Sequence, residues 1–236
     1  MHPAGGGEVL GVVLLLHGGR AHDDRPVERK HASWWRMALL ARSLARAVAP
    51  AGVPVELLRY RARGWNAEPA AESAIEPATE PAPVADARWA LARLRDSYGD
   101  VPVVLVGHSM GGRAACALAG ATGVAGVVGL APWLPEGEPV APAAGRRLVL
   151  AHGQRDRWTS ALGSLEWSRR ARSAGALVAR YELGAVGHFM ASGRRQWNGL
   201  VRDASLGLLG LSALPPAMSD AFAGTGDEGL RLPPSW

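Results

Sequence analysis

VVLVGHSMGGR, residues Val103 to Arg113, decides the fold. Val103 to Val106 is a short apolar run of the kind buried on both faces of a parallel sheet, and it passes directly into Gly107-His108-Ser109-Met110-Gly111. Strand, tight turn and helix are expected in that order. A serine in such a turn adopts strained backbone angles and leaves room only for small residues two positions before and after it, which Gly107 and Gly111 supply. Ser109 is then expected to project from the top of the sheet.

The rest of the composition bounds the answer. A chain of 236 residues, 48% hydrophobic, suits one α/β domain with a sizeable core. Its net charge of +5 comes almost wholly from arginine, since Lys30 is the only lysine, and the arginines are scattered rather than blocked. No nucleic-acid footprint results, and the abundance of Ala, Gly, Arg and Pro reads as coding composition. One cysteine, Cys116, excludes an internal disulfide and reads as a small buried filler. The apolar run from Val9 to Leu16 is too short to span a bilayer and ends in His-Gly-Gly rather than a cleavage site, so a soluble, cytoplasmic protein is expected.

In chain order, Val9 to Leu16 reads as the first strand, stopping at His17-Gly18-Gly19-Arg20. Residues 21 to 32 form a polar loop whose His22, Asp23, Asp24 and His31 lack any metal-ligand spacing. Ser33 is the expected N-cap of a helix to about Ala49, with Leu40, Leu44 and Ala47 or Val48 on one stripe. Val53 to Tyr60 is the second strand. Residues 66 to 83 are a low-complexity Ala/Glu/Pro loop. The stripe Val84, Ala87, Leu91, Leu94, Tyr98 predicts a helix ended by Gly99. Val124 to Leu130 and Arg147 to Ala151 are two further strands, too close in sequence to admit a helical cap between them. A helix over 159–174, a strand from Leu177 to Leu183 and a closing helix from Gln196 to Leu209 complete the pattern, and the tail beyond Leu214 is expected to be frayed. Strands alternating with helices predict a mostly parallel sheet of about six strands with helices on both faces.

Ligands of such sheets sit at the carboxyl ends of the strands. His17-Gly18-Gly19, Ser109, Asp156 and His188 each follow a strand end. A serine hydroxyl is a poor nucleophile that needs a histidine base, itself oriented by a carboxylate. The stretches His152-Gly153-Gln154-Arg155-Asp156 and Gly187-His188 offer these partners in the order Ser, Asp, His. His188 is the preferred base, with His108 and His152 read as structural and His17 as a brace for the Gly18-Gly19 turn. Asp156 has a plain alternative in pairing with Arg155 or Arg157, and Asp203 is a runner-up acid.

On these residues, from about Val9 to Leu209, the chain resembles the α/β-hydrolase superfamily. The resemblance implies that Ser109 is the nucleophile, His188 the base and Asp156 its orienting acid. It further implies an oxyanion hole made of the backbone N–H groups of Met110 and Gly19. Among lidless relatives it is most similar to small bacterial carboxylesterases and dienelactone-hydrolase-like enzymes. The implied activity is hydrolysis of a small or medium ester or thioester through an acyl-enzyme, without cofactor or metal. An acyltransferase with the same triad and a non-catalytic binding protein are the alternatives. Arg20, Trp133 and Trp158 are candidates for the substrate pocket, and Arg113 and Arg155 for contacts to an acidic substrate. The expected partner is a small molecule, not nucleic acid or membrane.

Overall fold

The computed structural model describes residues 8–66, 80–189 and 192–236. Six strands form one sheet: β1 (Val12–Leu16), β2 (Val55–Leu58), β3 (Val103–His108), β4 (Val124–Leu130), β5 (Arg147–His152) and β6 (Leu177–Glu182), in the order β2-β1-β3-β4-β5-β6. Every neighbouring pair is parallel. The α-helices among the described residues are α1 (Ala32–Val48), α2 (Ala82–Tyr98), α3 (Met110–Ala117), α4 (Ala161–Ser173), α5 (Arg194–Leu208) and α6 (Pro216–Ala223).

Side chains alternate across each strand, and this alternation divides the core into two layers. Leu14, Leu16, Leu105 and Leu148 point to the layer closed by α2, α3 and α4. Val13, Leu15, Val104 and Val149 point to the layer closed by α1, α5 and α6. The strands are therefore buried on both faces, which is why β1 and β3 read as unbroken apolar runs. The connection from β4 to β5 holds only a single turn of helix, Ala141–Ala143, so it builds no helical cap over the carboxyl end of the sheet.

Most element ends shift by one to three residues from the sequence expectations, and three differences are instructive. α1 begins at Ala32 with His31 at the cap position, because the His31 ring turns back to accept the Glu28 N–H at 2.8 Å; Ser33 lies inside the first turn. α2 begins at Ala82, inside the segment read as loop, with Pro83 in its first turn, where proline's missing N–H costs nothing. The remainder of that segment, residues 67–79, lies outside the described residues.

The third difference is the tail. Beyond Leu214 the chain is not frayed: α6 buries Met218, Ala221 and Phe222 against the sheet. Its continuation pairs with the open edge of β6, where the Leu232 N–H donates to the Arg180 carbonyl at 3.0 Å and the Leu232 carbonyl accepts from Glu182 at 2.9 Å. An edge strand that would otherwise expose unpaired backbone groups is thereby covered.

Candidate active site

The elbow at the end of β3 is built by backbone geometry. Ser109 has φ 55° and ψ −117°, a conformation that costs a non-glycine residue about 1–3 kcal/mol and persists only where the surroundings enforce it. Here its N–H donates to the Leu130 carbonyl at 3.0 Å, and its carbonyl accepts from Trp133 at 3.0 Å and Arg113 at 3.2 Å. The flanking glycines are required sterically. A methyl on Gly107 would run into the Gly111 carbonyl, and one on Gly111 into the Leu16 carbonyl. We expect Gly111→Ala to lower stability by about 1–3 kcal/mol, as overpacking does, because neither obstructing backbone can move aside. Denaturant titration of the two proteins measures it, and an unchanged midpoint would refute this account of the elbow.

The two loops that carry Asp156 and His188 are joined to each other. Gln154 donates to the Gly184 carbonyl at 2.8 Å and Arg155 to Val186 at 3.1 Å, while Gly153 lies so close to Val186 that no side chain fits. This pairing sets the Asp156 carboxylate against the His188 ring, with Nδ1 of His188 at 2.8 Å from Oδ2. Oδ1 accepts the N–H groups of Trp158 at 2.8 Å and Thr159 at 2.9 Å. Oδ2 also accepts the Thr159 hydroxyl at 2.8 Å, and His152 Nε2 stands 3.3 Å away. Burial opposes the Asp156 charge, but the hydrogen bonds from His152, His188 and the Thr159 and Trp158 amides outweigh it and hold the carboxyl well below the usual carboxylate range.

Four histidines gather here, and their surroundings separate them. His17 donates from Nδ1 to the Gly18 carbonyl at 2.7 Å, and its Nε2 faces the Tyr60 N–H at 3.4 Å. Burial lowers its pKa to about 4, so it braces the turn as a neutral ring. His108 donates from Nε2 to the His188 carbonyl at 2.9 Å, and burial, with the neighbouring His188, lowers it to about 3. His152 is fully buried and does not reach the cavity. His188 does, and it lines the same cavity as Ser109, as His17 and His108 also do. Among the described residues no hydrogen bond joins Ser109 to His188; contacts of this kind often tighten only when substrate binds.

Opposite the elbow, Gly18 and Gly19 pass directly over Ser109 and Met110. A side chain on Gly19 would strike both the Arg63 carbonyl and the Met110 thioether. The N–H groups of Gly19 and Met110 have no hydrogen-bond partner among the described residues. The cavity measures about 820 Å³, and its lining includes Arg20, Trp133 and Trp158. Trp158 is 72% exposed and lies nearly parallel to the His188 ring, 20° between planes at 6.3 Å.

Other candidates fall elsewhere. Arg113 lies in the angle between Trp65 and Trp133, 4.0 and 4.6 Å from the ring centres, and pairs with Glu138 at 2.6 Å. Arg155 is exposed and outside the cavity. Asp203 is held on α5 by Arg202 and the Trp236 indole, both at 2.6 Å. Among the described residues no cluster of metal-ligating side chains occurs, and His22 and Asp23 do not form one. Cys116 is buried, and burial pushes its thiol well above the usual range. Two residues were missed from the sequence: Thr159, whose three-residue spacing from Asp156 is ordinary turn chemistry, and Arg36, which lines the cavity from α1.

A six-stranded parallel sheet with a serine on a strained strand-to-helix turn defines a class, and residues 13–235 match the alpha/beta hydrolase family. The chain belongs to that family. No curated protein matches the sequence. Among solved structures it is similar to an alpha-beta serine hydrolase homologue from Coxiella burnetii (TM-score 0.58, 13% identity, 85% of this chain and 86% of that one). It is also similar to a serine hydrolase without lid from Xanthomonas campestris (TM-score 0.56, 14% identity, 85% and 82%). The Pyrococcus furiosus esterase Pf2001 aligns with TM-score 0.58 at 16% identity over 83% and 79%. At these identities the likeness concerns the fold. Among the described residues no helix is long and apolar enough to cross a membrane.

Proposed function

We propose that this α/β hydrolase is a serine hydrolase that cleaves a small or medium carboxylic ester or thioester through an acyl-enzyme. The observation that carries the reading is the strained Ser109, which shares one cavity with a histidine bound at 2.8 Å to a buried carboxylate. Ser109 Oγ attacks the carbonyl carbon while its proton passes to His188 Nε2. Asp156 holds the Nδ1–H tautomer and stabilises the imidazolium that forms. The carbonyl oxygen gains charge as the tetrahedral centre forms, and the N–H groups of Met110 and Gly19, without a partner among the described residues, receive it. One such donor is typically worth about 3 kcal/mol in the transition state. His188 then returns its proton to the departing alcohol or thiol oxygen or sulfur. Water, deprotonated by His188, attacks the acyl-serine and releases the acid.

Named neighbours include an esterase and a lidless serine hydrolase, which supports the same class of chemistry. A cytoplasmic site of action belongs to this proposal. The test is labelling with a fluorophosphonate probe: the wild-type protein is expected to be labelled and Ser109→Ala is not. A folded wild-type protein that resists labelling refutes the reading. With a p-nitrophenyl ester series, added alcohol or amine that outcompetes water would reassign the activity to acyl transfer.

A further inference from the structure

The cavity that holds Ser109 is cationic. Arg20, Arg36 and Arg63 line it, and no carboxylate does among the described residues. Two of these arginines are already answered. Asp23, its side chain 5% exposed, stands 3.8 Å from Arg20 and 3.4 Å from Arg63, and it also takes a bidentate pair of hydrogen bonds from Arg25, both at 2.9 Å. Arg36 is different. It projects from α1 into the cavity, half-buried, with its guanidinium over the Phe189 ring at 4.7 Å. It has no ion pair and no hydrogen bond with any described residue.

Among the described residues that line the cavity with Arg36, none is a carboxylate. His108 and His188 present rings rather than carboxylates, and Arg36 lies near enough to His108 to disfavour that ring's charge. Asp156, the buried acid bound to His188, has its oxygens filled by Thr159, Trp158, His188 and His152. Burial lowers the Arg36 pKa from its ordinary value, yet a guanidinium keeps its charge in proteins. A half-desolvated guanidinium without an acceptor is costly, and a planar anion delivered by a ligand would satisfy it bidentately.

We infer that Arg36 is the anion-recognising residue of the substrate pocket, and that the ester or thioester this protein cleaves carries a carboxylate or similar anionic group. The inference rests on the serine-hydrolase reading for the reaction and on the cavity alone for the charge. Phe189 supports the guanidinium from beneath, so the specificity of the pocket is set jointly by α1 and the loop after β6.

Two matched pairs of esters test it and separate the two places the charge could sit. Mono-p-nitrophenyl succinate against p-nitrophenyl butyrate varies charge on the acyl side; 4-acetoxybenzoate against its methyl ester varies it on the alcohol side. The wild-type protein is expected to favour the charged member of one pair in kcat/KM. Arg36→Gln should reduce that charged-to-neutral ratio about 10- to 100-fold, the size of a lost charge-assisted hydrogen bond, with Arg36→Lys between the two. A ratio unchanged in Arg36→Gln, or a wild-type preference for the neutral member of both pairs, overturns the inference. Arg36→Lys carries the test if Arg36→Gln does not fold.

Failure of the hydrolase reading is distinguishable, because it would appear as absent fluorophosphonate labelling and no turnover of any of the four esters. The charge is then read by melting the wild-type protein with and without succinate. A rise in Tm that disappears in the Arg36 variant sustains the inference, and no rise overturns it.

Discussion

Ser109→Ala is expected to lower kcat/KM for a p-nitrophenyl ester by about 10⁴- to 10⁶-fold while leaving the protein folded, the scale on which serine hydrolases lose activity when the nucleophile is removed. The hydroxyl is the group that forms the acyl bond in the proposed mechanism, so nothing replaces it. Folding should survive because the Ser109 side chain caps no helix hydrogen bond, whereas the elbow is held by the Ser109 backbone bonds to Leu130, Trp133 and Arg113. Those bonds remain in the alanine variant. His188→Ala should fall to a similar level, and the double variant should be no slower than either single one, since nucleophile and base act in one step. Initial rates over a range of ester concentrations, read beside circular dichroism, make the comparison. A Ser109→Ala protein that keeps a tenth of the wild-type rate would remove the acyl-enzyme from the account.

Asp156→Asn carries the next largest effect, a fall in kcat of about 10⁴-fold, because an amide in place of the carboxylate no longer demands the Nδ1–H tautomer from His188. The present geometry makes the substitution severe. Oδ2 of Asp156 accepts from both the Thr159 hydroxyl and His188, each at 2.8 Å, and an amide NH₂ in that place would face donors. The same residue has a signature in stability. Its folded-state pKa is depressed, so the stability it contributes is present above the unfolded value of about 4 and is lost as pH falls towards the folded value. The stability gap between wild type and Asp156→Asn should therefore be wide at neutral pH and narrow as the solution is acidified below pH of about 4. Chemical denaturation at several pH values measures it. A gap that is constant with pH would mean that the carboxylate is not held ionised by its neighbours.

Much of the fold was legible because it rests on local sterics and period. Unbroken aliphatic runs at Val12–Leu16 and Val103–Val106 can be buried only between two layers of helices, and the run into Gly107-x-Ser109-x-Gly111 admits a strand-to-helix turn in which both glycines are required by their neighbours. The stripe on α1 was legible for the same reason, with Leu40, Leu44 and Val48 buried as their spacing demands. The tail was misjudged because its prolines and glycines signal breaks, while the partner that orders it, the edge of β6, is some fifty residues away along the chain.

The sequence by itself determined that a serine, an acid and a histidine each follow the end of a strand, and so that they gather at one end of a parallel sheet. Tertiary structure alone decided which groups meet. His152 and His188 both reach Asp156, and only the meeting of the loops after β5 and β6 leaves His188 at the cavity and His152 buried behind it. Thr159 shows in the sequence only an ordinary turn spacing from Asp156, and Arg36 shows no local signal at all. Their contacts to His188 and to Phe189 cross the fold, and a contact between distant residues leaves no period or spacing in one chain to read.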